Sequence, residues 1–300
     1  MLRPIPQGAA VGIITPSSSL DSPEQIRSGL SYLAELGFQV KTGNFVYGGS
    51  CHFSGTPQER AADINGFFKN PEIAAIIATA GGYGAQDLLP YLDYEAIRKA
   101  PKPIIGFSDI TALQAAIYAR TGVPSVAGIM LKYDFSSGTI QPKTKSSFEN
   151  LLGGKFAPVS AGNILNPGLA EGVLLGTNFC TLMSLAGTKY FPPLAGSILL
   201  LEDIDEKSYR IERMLTQLEQ QSDFEQISGI IFGAFGNCTL NHPQDKDIEA
   251  VLDAFAARHP RIVMIKHFPF GHIKSRICLP LGIKMRLNAV NETPTLQTTD

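Results

Sequence analysis

Cysteine, charge and long apolar runs are all sparse in this 300-residue chain. The four cysteines, at 51, 180, 238 and 278, are too few to staple a chain of this length and too far apart for a C-x-x-C zinc or redox pair. They read as buried thiols in a reducing compartment. Charged residues make up only 17%, and 25 Lys and Arg stand against 27 Asp and Glu for a formal charge of -2. That balance lacks the basic excess that phosphate backbones demand, so nucleic acid is not an expected partner. No apolar run approaches the ~20 residues of a membrane-spanning helix, so no membrane partner is expected either. Met1 to Gln7 leads at once into the strand-like Ala10 to Thr15, without the regions of an export signal, and a cytoplasmic location is the expectation. Of five histidines, His52, His242, His259 and His267 have neither metal-ligand spacing nor H-E-x-x-H company, so neither a metal nor another cofactor is expected. Tryptophan is absent altogether.

What is present is a core. Hydrophobic residues reach 44%, enough for one large or two modest domains. The first half alternates short apolar runs with helical patterns, the grammar of parallel α/β architecture. Val11 to Thr15, Phe38 to Lys41, Ile73 to Ala78, Pro103 to Phe107 and Val123 to Ala127 read as strands. Ser22-Pro23 and Thr56-Pro57 open helices with capping residues and proline at the first helical position. Between about 136 and 172, glycine and proline punctuate the chain, which places a linker at 151–170 between domains at 1–150 and 171–300. The second half reads as mixed, with strands near 197–202, 227–235, 261–267 and 283–289 and helices near 208–221 and 245–258. The polar residues from Asn291 onward are expected to fray.

Chemistry concentrates at a few places. Gly106-Phe107-Ser108-Asp109 puts a serine in a strand-to-helix turn, where its hydroxyl projects beside unpaired helix amides. The alternative is that Ser108 merely caps the helix. Gly81-Gly82-Tyr83-Gly84 follows a buried strand, and its amides suit an oxyanion hole, a phosphate cradle or a plain tight turn. Glu202 and Asp203 end another apolar run, and His272 follows a bend shaped by Pro269 and Gly271. Ser108, Glu202 and His272 in that order satisfy the needs of a serine nucleophile, provided the fold assembles them.

Four of these segments, in order, resemble the LD-carboxypeptidases of serine peptidase family S66, which include muramoyltetrapeptide carboxypeptidases and microcin C immunity hydrolases. They are Gly81 to Gly84, Gly106 to Thr111, Leu200 to Asp203 running on through Tyr209 to Leu215, and Gly271-His272 followed by Leu279 to Gly282. The resemblance implies an α/β fold in which a Rossmann-like parallel-sheet domain joins a smaller, β-rich α+β domain, with the active site between them. It implies Ser108 as nucleophile, His272 as general base and acid, and Glu202 as the group orienting the imidazole. The amide of Asp109 and one from Gly81 or Gly82 would form the oxyanion hole. It also implies a small murein peptide as substrate, cut at an L,D bond to release D-alanine, and a homodimer. Departures from the family pattern fall at Ala80, Ile129, Ile273, Arg276 and Cys278, and point to altered substrate recognition. The missing tryptophan leans away from the microcin branch, whose members stack a base on an indole. Two other readings share parts of this pattern: an α/β-hydrolase-type esterase, and a two-domain protein that binds a small ligand without turnover.

Overall fold

The computed structural model describes residues 2–48, 52–136 and 138–299. Its first half contains β1 (Ala10–Ile14), α1 (Arg27–Glu35), β2 (Gln39–Thr42), α2 (Pro57–Lys69), β3 (Ile73–Ala78), α3 (Tyr94–Lys99), β4 (Ile104–Gly106), α4 (Thr111–Thr121), β5 (Ser125–Ala127), α5 (Leu131–Asp134) and α6 (Pro142–Leu152). The capping expected at Thr56 is complete: its side chain accepts the Glu59 N–H while the Glu59 carboxylate accepts the Thr56 N–H, worth about 1 kcal/mol. Helix α4 ends at Gly122, whose left-handed φ of 72° favours glycine. The second half contains β6 (Val159–Ser160), β7 (Asn163–Asn166), β8 (Leu169–Asn178), α7 (Phe179–Ser184), β9 (Ser197–Ile204), α8 (Ser208–Glu219), β10 (Gly229–Gly236), α9 (Ile248–Arg258), β11 (Val263–Lys266), β12 (Leu279–Leu281), β13 (Lys284–Asn288) and β14 (Thr295–Thr298).

These strands build two sheets. The first runs β12-β5-β4-β3-β1-β2, with β1 to β5 parallel in the 2-1-3-4-5 order of a doubly wound, Rossmann-like sheet. Its central strand β3 is apolar throughout and buried at all but one position, as a strand covered on both faces should be. The second sheet runs β6-β14-β13-β8-β9-β10-β11-β7, with a parallel centre from β8 to β11 and antiparallel flanks. A single hydrophobic cluster continues from β3 and α4 through α7 into β8 and β9, so the halves are packed together.

Several elements depart from the sequence expectations. Residues 159–166, within the stretch read as a linker, supply two strands to the second sheet. Strand β12 lies late in the chain yet closes the first sheet, antiparallel to β5. The tail does not simply fray: Leu296 is fully buried and β14 pairs with both β13 and β6. Of the thiols, Cys278 is buried, while Cys180 and Cys238 are only half-buried; Cys51 lies outside the described residues. Burial pushes Cys180 and Cys238 up to about 11 and Cys278 up to about 12, so all three stay protonated and unreactive near neutrality. Among the described residues no helix is long and apolar enough to cross a membrane.

Candidate active site

The carboxyl ends of both parallel centres converge on one cleft of about 930 Å³, with Ser108 and Gly81 on one wall and His272 and Asp205 on the other. In open α/β sheets this is where loops can gather functional groups without disturbing the core.

Ser108 occupies a short 3-10 turn between β4 and α4 and holds a φ of 62°, a conformation uncommon for a residue with a side chain. The sharp turn lifts its hydroxyl off the sheet. Buried Ile110 packs against Gly106: a methyl group added there would come within 2.9–3.2 Å of the isoleucine side chain. Ser108 Oγ lies 3.0 Å from His272 Nε2, and His272 Nδ1 lies 2.8 Å from Glu202 Oε2. The imidazole side chain is 17% exposed and the Glu202 side chain fully buried. Three elements separated by up to 164 residues therefore meet in one hydrogen-bonded series. A buried carboxylate beside Nδ1 fixes the tautomer that leaves Nε2 free to accept a hydroxyl proton, and it stabilises the imidazolium formed when that happens.

The glycines expected near the nucleophile are there for space. A methyl group on Gly81 would stand 3.0 Å from Ser108 Cβ and 3.1 Å from its Oγ; one on Gly82, at φ 107°, would collide with Ser18 Oγ. Asp109 is tied into the site through its side chain. Its carboxylate accepts hydrogen bonds from Ser17 Oγ at 2.6 Å and the Ala85 N–H at 2.8 Å, lacing the loops after β1 and β3 to the serine turn. Burial raises its pKa against those two bonds.

Sequence reasoning missed the groups that hold Glu202. Asn178, at the end of β8, donates from Nδ2 to Asp203 Oδ1 at 3.1 Å and, more weakly, to Glu202 Oε1 at 3.4 Å. Its own Oδ1 accepts from the Thr181 N–H and hydroxyl, capping α7. Asp203 also accepts the Cys180 N–H at 2.9 Å, and burial pushes its carboxyl up to about 6. Gly271 and Gly233 let the His272 loop and β10 close on Glu202, since a methyl group at either would fall within 3.2 Å of its Cβ. An asparagine just before an apolar helix was the available signal, but only as a helix cap.

A serine hydroxyl, an imidazole and a buried carboxylate in one hydrogen-bonded series are the constellation of the serine hydrolases, which recurs on several unrelated folds. Within that class the chain belongs to the LD-carboxypeptidase family: residues 11–128 match its N-terminal domain and residues 171–287 its C-terminal domain. It is 33% identical over 299 residues to the probable murein peptide carboxypeptidase of Bacillus subtilis, covering 97% of this chain and 92% of that one. The muramoyltetrapeptide carboxypeptidase of Oxalobacter formigenes superposes with a TM-score of 0.87 at 29% identity, over 96% of this chain and 99% of its own. The microcin C7 self-immunity protein MccF, in complex with aspartyl sulfamoyl adenosine, superposes with a TM-score of 0.88 at 28% identity, over 100% and 99%.

Proposed function

We propose that Ser108, His272 and Glu202 are the catalytic triad of a carboxypeptidase that releases D-alanine from the L,D bond of a murein tetrapeptide. The observation that carries this is the series itself, with a hydroxyl, an imidazole and a buried carboxylate at 3.0 and 2.8 Å across the cleft. Ser108 Oγ attacks the carbonyl carbon while His272 Nε2 takes its proton. The amide of Asp109 and one from Gly81 or Gly82 face the resulting oxyanion. Collapse breaks the C–N bond, and the imidazolium returns its proton to the departing amine of D-alanine. Water then hydrolyses the acyl-serine with the same base. Substrate class follows the names of relatives such as the Bacillus subtilis and Oxalobacter formigenes proteins. The cleft suits it, because the exposed Lys274 and Asp205 on its lining offer both signs of charge to the peptide. A cytoplasmic location and a homodimeric assembly are part of the same proposal and rest on the family.

The likeness to MccF bound to aspartyl sulfamoyl adenosine favours a second reading, an amide hydrolase acting on an aminoacyl nucleotide analogue. Mass spectrometry of parallel digests separates the two. D-alanine from the tetrapeptide with the nucleotide left intact supports the carboxypeptidase, whereas cleavage of the nucleotide alone overturns it.

A further inference from the structure

The loop that carries His272 is tied to the opposite half of the molecule at one buried side chain. Arg276 is only 4% exposed. Its Nε donates to Gly128 O at 2.7 Å, one terminal nitrogen donates to Ile273 O at 3.2 Å, and the other pairs with the Asp134 carboxylate at the end of α5. Its backbone is held too: Thr144 Oγ1 donates to Arg276 O at 2.9 Å and accepts the Arg276 N–H at 3.2 Å. The guanidinium carbon lies 3.9 Å from the centroid of the Phe107 ring, and that ring lies 5.0 Å from the His272 ring. Phe107 is the residue immediately before Ser108.

We propose that Asp134 and Arg276 form a positioning pair that sets the approach of His272 to Ser108. Arg276 acts at two points: through the Phe107 ring, which touches both the serine turn and the imidazole, and through Ile273 O, next to His272 in the chain. Only a planar guanidinium can lie over a ring while donating in three directions, so lysine is no substitute. A buried ion pair is a weak source of net stability, because desolvation offsets its attraction. Its consequence here is geometric. Misplacing a catalytic base by about 1 Å costs on the order of 10²-fold in rate. The inference rests on the reading of Ser108 and His272 given above.

The test uses Arg276→Met and Asp134→Asn, each compared with wild type and with Ser108→Ala. Two readouts are independent of the natural substrate: the rate at which a fluorophosphonate labels Ser108, and the downfield proton resonance of the His272 Nδ1–H. Each variant is expected to label about 10²-fold more slowly and to shift or broaden that resonance while its circular dichroism remains that of the folded protein. Wild-type labelling with an unchanged resonance in both variants overturns the proposal. If Arg276→Met fails to fold, Asp134→Asn decides alone: it keeps its volume and an acceptor for the Met130 N–H, which Asp134 accepts at 2.8 Å. Wild-type labelling in that variant then overturns the pair. Labelling that persists at another residue in Ser108→Ala overturns the nucleophile reading itself, a different failure from that of the pair.

Discussion

Replacing Glu202 by glutamine removes one negative charge from the interior while keeping the volume, and the neighbouring hydrogen bonds dictate how the new amide must lie. Asn178 cannot turn over, because its Oδ1 already accepts from the Thr181 N–H and hydroxyl. Its Nδ2 therefore keeps pointing at the position of Glu202 Oε1 and calls for an oxygen there. The new NH2 is left facing His272 Nδ1, now 2.8 Å from a carboxylate oxygen. A donor at that place forces Nδ1 to become an acceptor and moves the ring proton to Nε2, where it blocks transfer from Ser108. The comparable change in a well-studied serine protease triad lowers turnover about 10⁴-fold, or ~5.5 kcal/mol of transition-state stabilisation. Glu202→Gln is thus expected to lose about four powers of ten in kcat for D-alanine release, with KM little changed and thermal unfolding close to wild type. The assay is D-alanine production under saturating tetrapeptide, with the folded fraction fixed by circular dichroism. A loss smaller than tenfold in a folded variant would refute the orientation argument.

Three further outcomes follow from the same geometry. Gly81→Ala places a methyl group 3.0 Å from Ser108 Cβ and 3.1 Å from its Oγ; kcat is expected to fall by about 10²- to 10³-fold, the scale of losing one oxyanion donor, with a far smaller change in urea midpoint. Asp203 titrates near 6 in the folded protein because burial disfavours its charge. Its raised pKa means that the folded state holds a proton the unfolded state releases. The resulting stability is fully present below about pH 4 and is lost as pH rises through 6, roughly 3 kcal/mol in all. Asp203→Asn should flatten the fall in stability between pH 4 and 6.5, and urea titrations with an unaltered slope across that window would count against the assignment. Leu296→Ala, at a fully buried position of β14, should cost about 2–5 kcal/mol; a value near zero by urea denaturation would mean that the tail is not docked.

Much of the first half was legible because strands such as β1 and β3 are continuous apolar runs and α2 opens on a complete capping box. The strand-to-helix turn at Ser108 could be placed because an apolar run ends at Phe107 and a helical pattern begins at Asp109. Strand β8 was not legible, since Gly172 and Gly176 break its pattern. The structure supplies the cause: a methyl group on Gly172 would meet the backbone of residues 196–198 at 2.6–3.0 Å, and one on Gly176 would meet Leu200 O at 2.4 Å. The glycines mark a close approach of β9 and not a loop. Strand β14 hid behind polar composition because its buried contribution is the single residue Leu296. No local pattern could show β12 crossing to the first sheet, or choose between Glu202 and its neighbour Asp203 as the partner of an imidazole 70 residues away. Adjacent residues of a strand face opposite sides, so only the packed sheet decides which carboxylate meets the histidine. Arg276 appeared in the sequence only as a departure from a family pattern; its tie to Asp134 spans 142 residues.

The most direct test of the proposed chemistry is the rate of D-alanine release from a defined murein tetrapeptide by the wild-type protein and by Ser108→Ala. The triad reading predicts release by the wild type and a fall on the order of 10⁴- to 10⁶-fold in the variant. Undiminished release by folded Ser108→Ala would contradict it.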